Sequence, residues 1–536
     1  MTDFHKKSIQ SLLSEKRLAE AFAELRQTAQ TLQNWQLNNR LDELEEAYKY
    51  MIRYVADGCN DPQREEIHNG ITAKLMELAD ITEQELTVQN SPKLYYETLR
   101  MERKYPRSLE ALLEAYRECA DKTALFYELP ADKRDSDQER TLLMEKEKAA
   151  NAVFKHIWVT FPVTANEAGT LDKLFADADA TAEIKELAMA ATMLSLLEHY
   201  SEHLLLSLLD LYAANAFNDA SLSMKALCCA LIAMHCHRET IKHSSAISLR
   251  IANIADSERG RRDIMTVFLQ FIRSRSTERI SQKVRDELVP KLMKLSPEMR
   301  RKMRDGFSDD IEEMAKNPDW QEMLNESGIT DKMQELSRMQ AEGSDVFLSS
   351  FARLKSFPFF NDVANWFVPF TPRHSSIFRV FAGNSGSMLL SMVDRTGAFC
   401  DSDKFSFALS VATMPDQHRS MMMAQFDEQQ EQVINEMAGS LPNPDKQREN
   451  IANKYVQSLY RFFNLFRSRN DFYNPFSTRL NLIDVPFVSD ALSDTKSLRL
   501  IAEFYFSMQC YTDALSTFGK VLKQDSPTAS DYQKTG

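Results

Sequence analysis

Apolar side chains recur along this chain at three- and four-residue steps, the spacing that lines one face of a helix. In residues 16–30, Leu18, Phe22, Leu25 and Ala29 share a face, and from Leu37 to Val55 the set Leu37, Leu41, Leu44, Tyr48, Met51, Ile52 and Val55 does the same. Helix breakers stand between such runs: Gly58 with Asp61-Pro62, then Ser91-Pro92, then Pro106. Short connections between helices of this length predict antiparallel neighbours. Residues 1–160 therefore read as an N-terminal region of helical hairpins.

The pattern breaks between Trp158 and Thr170, where Pro162, Asn166 and Gly169 interrupt it. Residues 170–345 follow as a second region. Its stretches Leu187 to Tyr212 and Ser221 to Met234 are apolar on more than one face, as expected of helices covered by neighbours on both sides of a stack. In pattern, though without a phased motif, this region resembles HEAT or armadillo repeats. A third region, 346–490, is aromatic-rich. It holds Phe347, Phe351, Phe357, Phe359, Phe360, Trp366, Phe367 and Phe370, broken by Pro358, Pro369 and Pro372, and the glycine cluster Gly383-Asn-Ser-Gly386. Irregular structure and shorter helices are expected there, with one clear helix at 416–439 and another from about Pro444 to Ser468. The aromatic run reads either as the core joining two halves or as a docking surface through Trp366 and Phe367.

Within a fourth region, 491–536, residues Asp494 to Pro527 carry the most specific pattern. With Ala514 as the small residue of a second helix, Tyr511 precedes it by three, Phe518 follows it by four and Tyr505 lies nine before it. Leu498 and Ile501 fill earlier apolar positions, and Ala502 is the small residue of the first helix. This segment resembles a tetratricopeptide repeat, a 34-residue helix pair with small residues at the helix contact. Tyr532 and Gly536 fall 34 residues after Leu498 and Ala502, at matching positions of a next repeat. Pro527 sits one residue later than the family places it, and Val521 stands where alanine is common. The resemblance spans under a tenth of the chain. It implies an array continuing past Gly536, an apolar face at Tyr505, Phe518 and Leu522 left partly uncovered, and a protein or peptide partner. The expected fold is all-α: an α-solenoid of antiparallel helix pairs, HEAT-like and then tetratricopeptide-like, with a less regular aromatic junction.

Composition agrees with helix. Thirteen glycines in 536 residues are about 2.4%, against roughly 7% in average usage. Doubly wound sheets and phosphate-cradling loops need glycine, whereas helices penalise it. The first ten residues contain no apolar run of signal-peptide length, and no uncharged apolar stretch reaches membrane-spanning length. A cytoplasmic location without membrane contact is expected. The seven cysteines are odd in number and form no CxxC pair, so they read as reduced, buried small hydrophobes.

The net charge of −13 opposes a general nucleic-acid surface, yet charge is segregated. From Arg259 to Arg304 there are 14 Lys and Arg against 5 Asp and Glu, a local balance of +9. On a helix through Arg279 to Met299, Ile280, Val284, Leu288, Leu292, Leu295 and Met299 define one face, and Lys283, Arg285, Lys291 and Lys294 project around it. Arg300, Arg301, Lys302 and Arg304 cluster beyond. Such a stripe neutralises phosphates, grips an acidic protein, or pairs with acids of the same chain.

Other candidate chemistry is weaker. His199-Tyr-Ser-Glu202-His203 matches the HxxEH form of a zinc-peptidase helix, in which two His one turn apart ligate the metal. Cys228, Cys229, His235, Cys236, His237 and His243 lie close in sequence, but helical geometry splits them between faces. Gly383 to Gly386 lacks the lysine of a phosphate-binding loop, and Asp401-Ser-Asp403 and Asp177-Ala-Asp179 read as helix starts or solvated turns. No catalytic residue, cofactor or metal is expected. The function read from the chain is a non-enzymatic protein-interaction scaffold or adaptor. The alternatives are an RNA- or ribosome-associated protein using residues 259–304, and a metal-dependent hydrolase at His199 and His203.

If Ala514 marks a helix contact, Ala514→Leu separates the pair at an overpacking cost of about 1 to 3 kcal/mol. Hydrogen exchange over residues 495–521 measures that loss as faster local opening, and an unchanged rate would place Ala514 away from any contact.

Overall fold

The structure, a computed structural model, describes residues 6–32, 34–58, 62–288, 335, 338–340, 343–379, 399–415, 443–524 and 528–535. Among these residues the regular structure is helical, without strand. The first helices are α1 (Lys6–Ser14), α2 (Leu18–Leu32), α3 (Trp35–Ala56), α4 (Arg64–Thr87), α5 (Leu94–Lys104), α6 (Leu109–Glu128), α7 (Ser136–Val159) and α8 (Ala165–Ala176). The middle of the chain forms α9 (Ala182–Glu198), α10 (Glu202–Asn215), α11 (Ala220–Cys236), α12 (Arg238–Ile241), α13 (Ser245–Asp256), α14 (Glu258–Ser274) and α15 (Thr277–Lys283). Then come α16 (Leu348–Ala352), α17 (Asp401–Ala412), α18 (Pro444–Leu465), α19 (Val488–Ala491), α20 (Thr495–Ser507), α21 (Tyr511–Val521) and α22 (Ala529–Thr535).

Short polar side chains set many of the helix starts by accepting first-turn amides. Ser108 accepts from Ala111, Asp135 from Gln138, Thr164 from Glu167, Asp219 from Leu222 and Asp494 from Ser497. Thr164 also corrects the expected break. The interruption is confined to residues 160–164, because the Thr164 cap restarts the helix and Asn166 and Gly169 lie inside α8. Gly169 faces open space there, so nothing requires it to end the helix. The expected helix at 416–439 and the Gly383 to Gly386 cluster lie outside the described residues.

Apolar burial divides the chain differently from the expected regions. One small core unites α1, α2, α3 and most of α4 through Leu18, Phe22, Leu25, Leu41, Leu75 and Leu78. A second core draws its buried residues from Val88 to Ile272 and from Phe359 to Val521, and it continues across residues 160–170. Its centre is α11, in which every residue from Leu222 to His235 is buried. Packed by α9, α10, α14 and α18, α11 is covered on all sides, as its uniformly apolar sequence requires.

Polar side chains on α18 tie this core together. Arg448 grips Asp263 of α14 through two hydrogen bonds (2.8 and 2.6 Å) and donates to the Ala216 carbonyl, while the Tyr212 hydroxyl donates to the same carboxylate. Asn453 donates to Gln270 of α14 and to the Gly343 carbonyl (2.8 and 2.7 Å). Gly343 has φ +87°, a conformation that favours glycine, and a Cβ there would have to displace the flexible end of the Arg273 side chain. Arg461, 1% exposed, pairs with Asp345 (2.9 Å) and Asp403 of α17 (2.8 Å). Lys355 completes the group, 3.0 Å from Asp403 and seated over the Phe360 ring. Burial opposes the charge of Arg461, but Asp345 and Asp403 outweigh it and raise its pKa. For Lys355 burial wins and the pKa is lowered, although Asp403 pulls the other way.

Removing one member of such a buried group leaves uncompensated charge and costs about 3 to 5 kcal/mol. Arg461→Met is therefore expected to lower the urea midpoint markedly. A midpoint within error of the parent would show that Asp345 and Asp403 reach water or other partners.

Candidate functional site

The described basic side chains of residues 259–283 have partners within the chain. Arg259 covers the Phe217 ring and donates to the Ala216 carbonyl, and Arg261 donates to the carbonyls of Ala255 and Asp256 at the end of α13. Arg262 bridges Glu258 and Asp445 (2.7 and 2.5 Å), and Arg273 lies 3.6 Å from Glu449 and over the Phe504 ring. Arg275 pairs with Asp513 (2.7 Å), Arg279 donates to Gln509 and Lys283 pairs with Glu335 (2.6 Å). Arg285 is exposed and falls in a wide helical turn, Val284–Leu288, that follows α15. Lys291, Lys294, Arg300, Arg301, Lys302 and Arg304 lie outside the described residues.

Two of these contacts dock the C-terminal helices. Asp513 of α21 sits between Arg275 of α14's end and Arg479, while Tyr505 of α20 packs edge-on against Phe268 of α14, 6.2 Å between centroids, and donates to Asn481. A three-residue turn at 508–510 makes α20 and α21 an antiparallel pair. Leu498, Ala502, Tyr505, Ala514 and Phe518 are all buried. Tyr505, which meets Phe268, and Phe518 are thus covered rather than partly open, whereas Leu522 is partly exposed as expected. Tyr511 (58%), Leu515 (51%), Leu500 and Phe506 of the same pair are exposed, with Phe506 and Tyr511 in ring contact, and Tyr532 of α22 is exposed as well. Gly536 lies outside the described residues. Asp531, buried at the start of α22, accepts from Arg499 of α20 and from the Thr528 amide; Arg499 is the main reason its pKa falls to about 2.

Trp366 and Phe367 are buried, which removes them as partner contacts in this conformation. Trp366 packs on Phe360 and Phe462, and Phe367 stacks on Phe154 of α7 and meets Phe462 of α18. The rings continue through Phe472 to Trp158, stacked at 5.3 Å. This aromatic seam joins the third region to the first.

The His motif is split by a helix break. His199 is the C-cap of α9, buried and stacked on Phe161 at 4.3 Å, whereas His203 lies in the first turn of α10 with Nε2 3.1 Å from Asp172. The two rings therefore do not share one helical face. Cys228 and Cys229 are buried within α11, and burial pushes the Cys229 thiol up to about 12 against its hydrogen bond with Tyr455. Burial also holds His235 down to about 4. Among the described residues, no group of three or more His, Cys, Asp or Glu is placed to hold a metal ion. Asp177 accepts from the Asp179 amide in a local turn, and Asp401 and Asp403 stand in the first turn of α17, the helix start expected of them, with Asp403 buried on Arg461 rather than solvated. Sequence periodicity gave no sign of that burial, since Arg461 reaches Asp403 from a separate helix, α18.

No helix among the described residues is long and apolar enough to cross a membrane. No protein-family model, curated protein or solved structure matches this chain.

With His199 capping one helix and His203 engaged by Asp172, zinc binding at this pair is expected to be absent. Elemental analysis of natively purified protein should find well under one equivalent, and a full equivalent lost in His203→Ala would overturn the assignment.

Proposed function

We propose that this chain is a non-enzymatic protein-binding scaffold, acting in the cytoplasm, whose C-terminal hairpin is a tetratricopeptide-like repeat and whose helix pairs belong to an α-solenoid. The observation that carries the reading is the exposure of Leu500, Phe506, Tyr511 and Leu515, with Phe506 and Tyr511 in ring contact, on a hairpin that buries Leu498, Ala502, Tyr505, Ala514 and Phe518. Contiguous exposed apolar groups mark interaction sites, and aromatic side chains such as Tyr511 are enriched among the residues that anchor them. The burial of Ala502 and Ala514 between α20 and α21 supports the repeat reading, because small residues let the two helices approach. The solenoid reading draws support from the short connections of α10 to α11 and α20 to α21, and the all-round covering of α11 departs from it.

A second reading, an acidic protein or RNA held by the basic segment, rests on the +9 balance of residues 259–304. It depends on the basic positions from Arg285 onward, since those before it are engaged within the chain.

Copurification from the protein's own cells separates the two. Tyr511→Ser with Leu515→Ser, both at exposed positions, should remove the main partner without lowering thermal stability. Retention of the partner in that variant, together with its loss when Arg300, Arg301, Lys302 and Arg304 are changed to Glu, would transfer the function to the basic segment.

A further inference from the structure

The imidazole of His156, near the end of α7, stands between carboxylates from two other helices. Its Nδ1 is 3.6 Å from Glu102 Oε2 in the last turn of α5, and its Nε2 is 3.1 Å from Glu167 Oε2 in the first turn of α8. The second oxygen of Glu167 accepts the Leu109 amide at the start of α6 (3.4 Å). One buried ring therefore joins four helices. Only the imidazolium form has an N–H on each nitrogen. Glu102 Oε2 is shielded from solvent and has no hydrogen-bond donor among the described residues, so a neutral ring would donate to one carboxylate and turn a lone pair toward the other.

The other charged groups on the surrounding helices face elsewhere. Arg103 of α5 pairs with Glu85, Lys146 of α7 with Glu183 of α9, Lys155 of α7 with Asp362, and Asp172 of α8 lies on His203. Glu102 and Glu167 are left as the charges acting on the ring. Burial works against its protonation, but these two carboxylates outweigh burial and raise the pKa above the ordinary histidine value.

We propose that His156 is a proton-dependent clamp, which in its imidazolium form holds the end of α5 and the start of α8 onto α7 and on losing its proton releases them. The sign follows from linkage. A folded-state pKa above the unfolded one contributes stabilisation in full below the ordinary histidine pKa, and that contribution disappears as pH rises through the folded value. The clamp is thus closed below the ordinary histidine pKa and opens as pH rises through the raised folded value. It stands apart from the partner-binding reading, since it involves none of the C-terminal residues.

Hydrogen exchange of the full chain tests it, with rates corrected for the base-catalysed chemical rate at each pH. Peptides covering 94–104 and 165–176 should lose protection severalfold between about pH 6 and about pH 9 in the parent, whereas α11 peptides should not. Glu102→Gln, whose amide donates to a neutral ring, should reduce the pH dependence while keeping the fold. His156→Gln, uncharged throughout, should show at pH 6 the weaker protection that the parent reaches at pH 9. Equal protection of the parent at both pH values, or an undiminished pH dependence in His156→Gln, would overturn the proposal.

Discussion

The structure depends on pairing charge inside a helical core. Three basic side chains, Lys225 on α11 and Arg448 and Arg461 on α18, are buried, and each meets a carboxylate from a different part of the chain: Glu186 of α9, Asp263 of α14, and Asp345 with Asp403. A buried ion contributes little net stability, but an unpaired one is severely unfavourable. Each pair therefore excludes arrangements in which its partner is displaced by a helical turn. Apolar packing around α11 is non-directional by comparison, and its Leu, Ala, Met and Cys side chains would tolerate several rotations. The ion pairs select one of them.

The same logic explains the fate of the basic segment. Its charge excess is real, but Arg262 and Arg275 reach Asp445 and Asp513 across 183 and 238 residues of sequence. The excess is thus partly an internal adhesive that fastens α18 and the C-terminal pair to α14. Docking by Arg275 and by the Tyr505 ring leaves Tyr511 and Leu515 of the pair facing solvent. Architecture and the proposed binding surface are in this way linked.

Local periodicity made the helices legible. The runs through Leu37 to Val55 and from Pro444 onward mark α3 and α18 closely, and the many-sided apolar stretch Ser221 to Met234 announces a covered helix. Small residues at 502 and 514 likewise pointed to a close helix pair. What lay hidden depends on distance or on a single cap. The Thr164 hydroxyl moved a boundary, and the break at His199 separated two histidines that a continuous helix would align. Trp366 and Phe367 have the side chains of an interface and of a core alike, and only the arrival of Phe154, Phe462 and Phe360 around them decides between the two. His156 gave no sequence signal, because Glu102 and Glu167 approach it from helices that no short motif connects.

The central claim is that α11 and α18, linked directly by the Arg448–Ser223 and Cys229–Tyr455 hydrogen bonds, form one cooperative unit that buried ion pairs fasten to α9, α14 and α17, and on which the remaining helices are assembled. Native-state hydrogen exchange of the parent protein across a urea series tests this directly. The account predicts that amides of α11 and α18 are the slowest in the chain and share one urea dependence, while those of α1 to α3, with their separate small core, open at lower free energy. Exchange of α18 as fast as that of α3, or independent of α11, would contradict it.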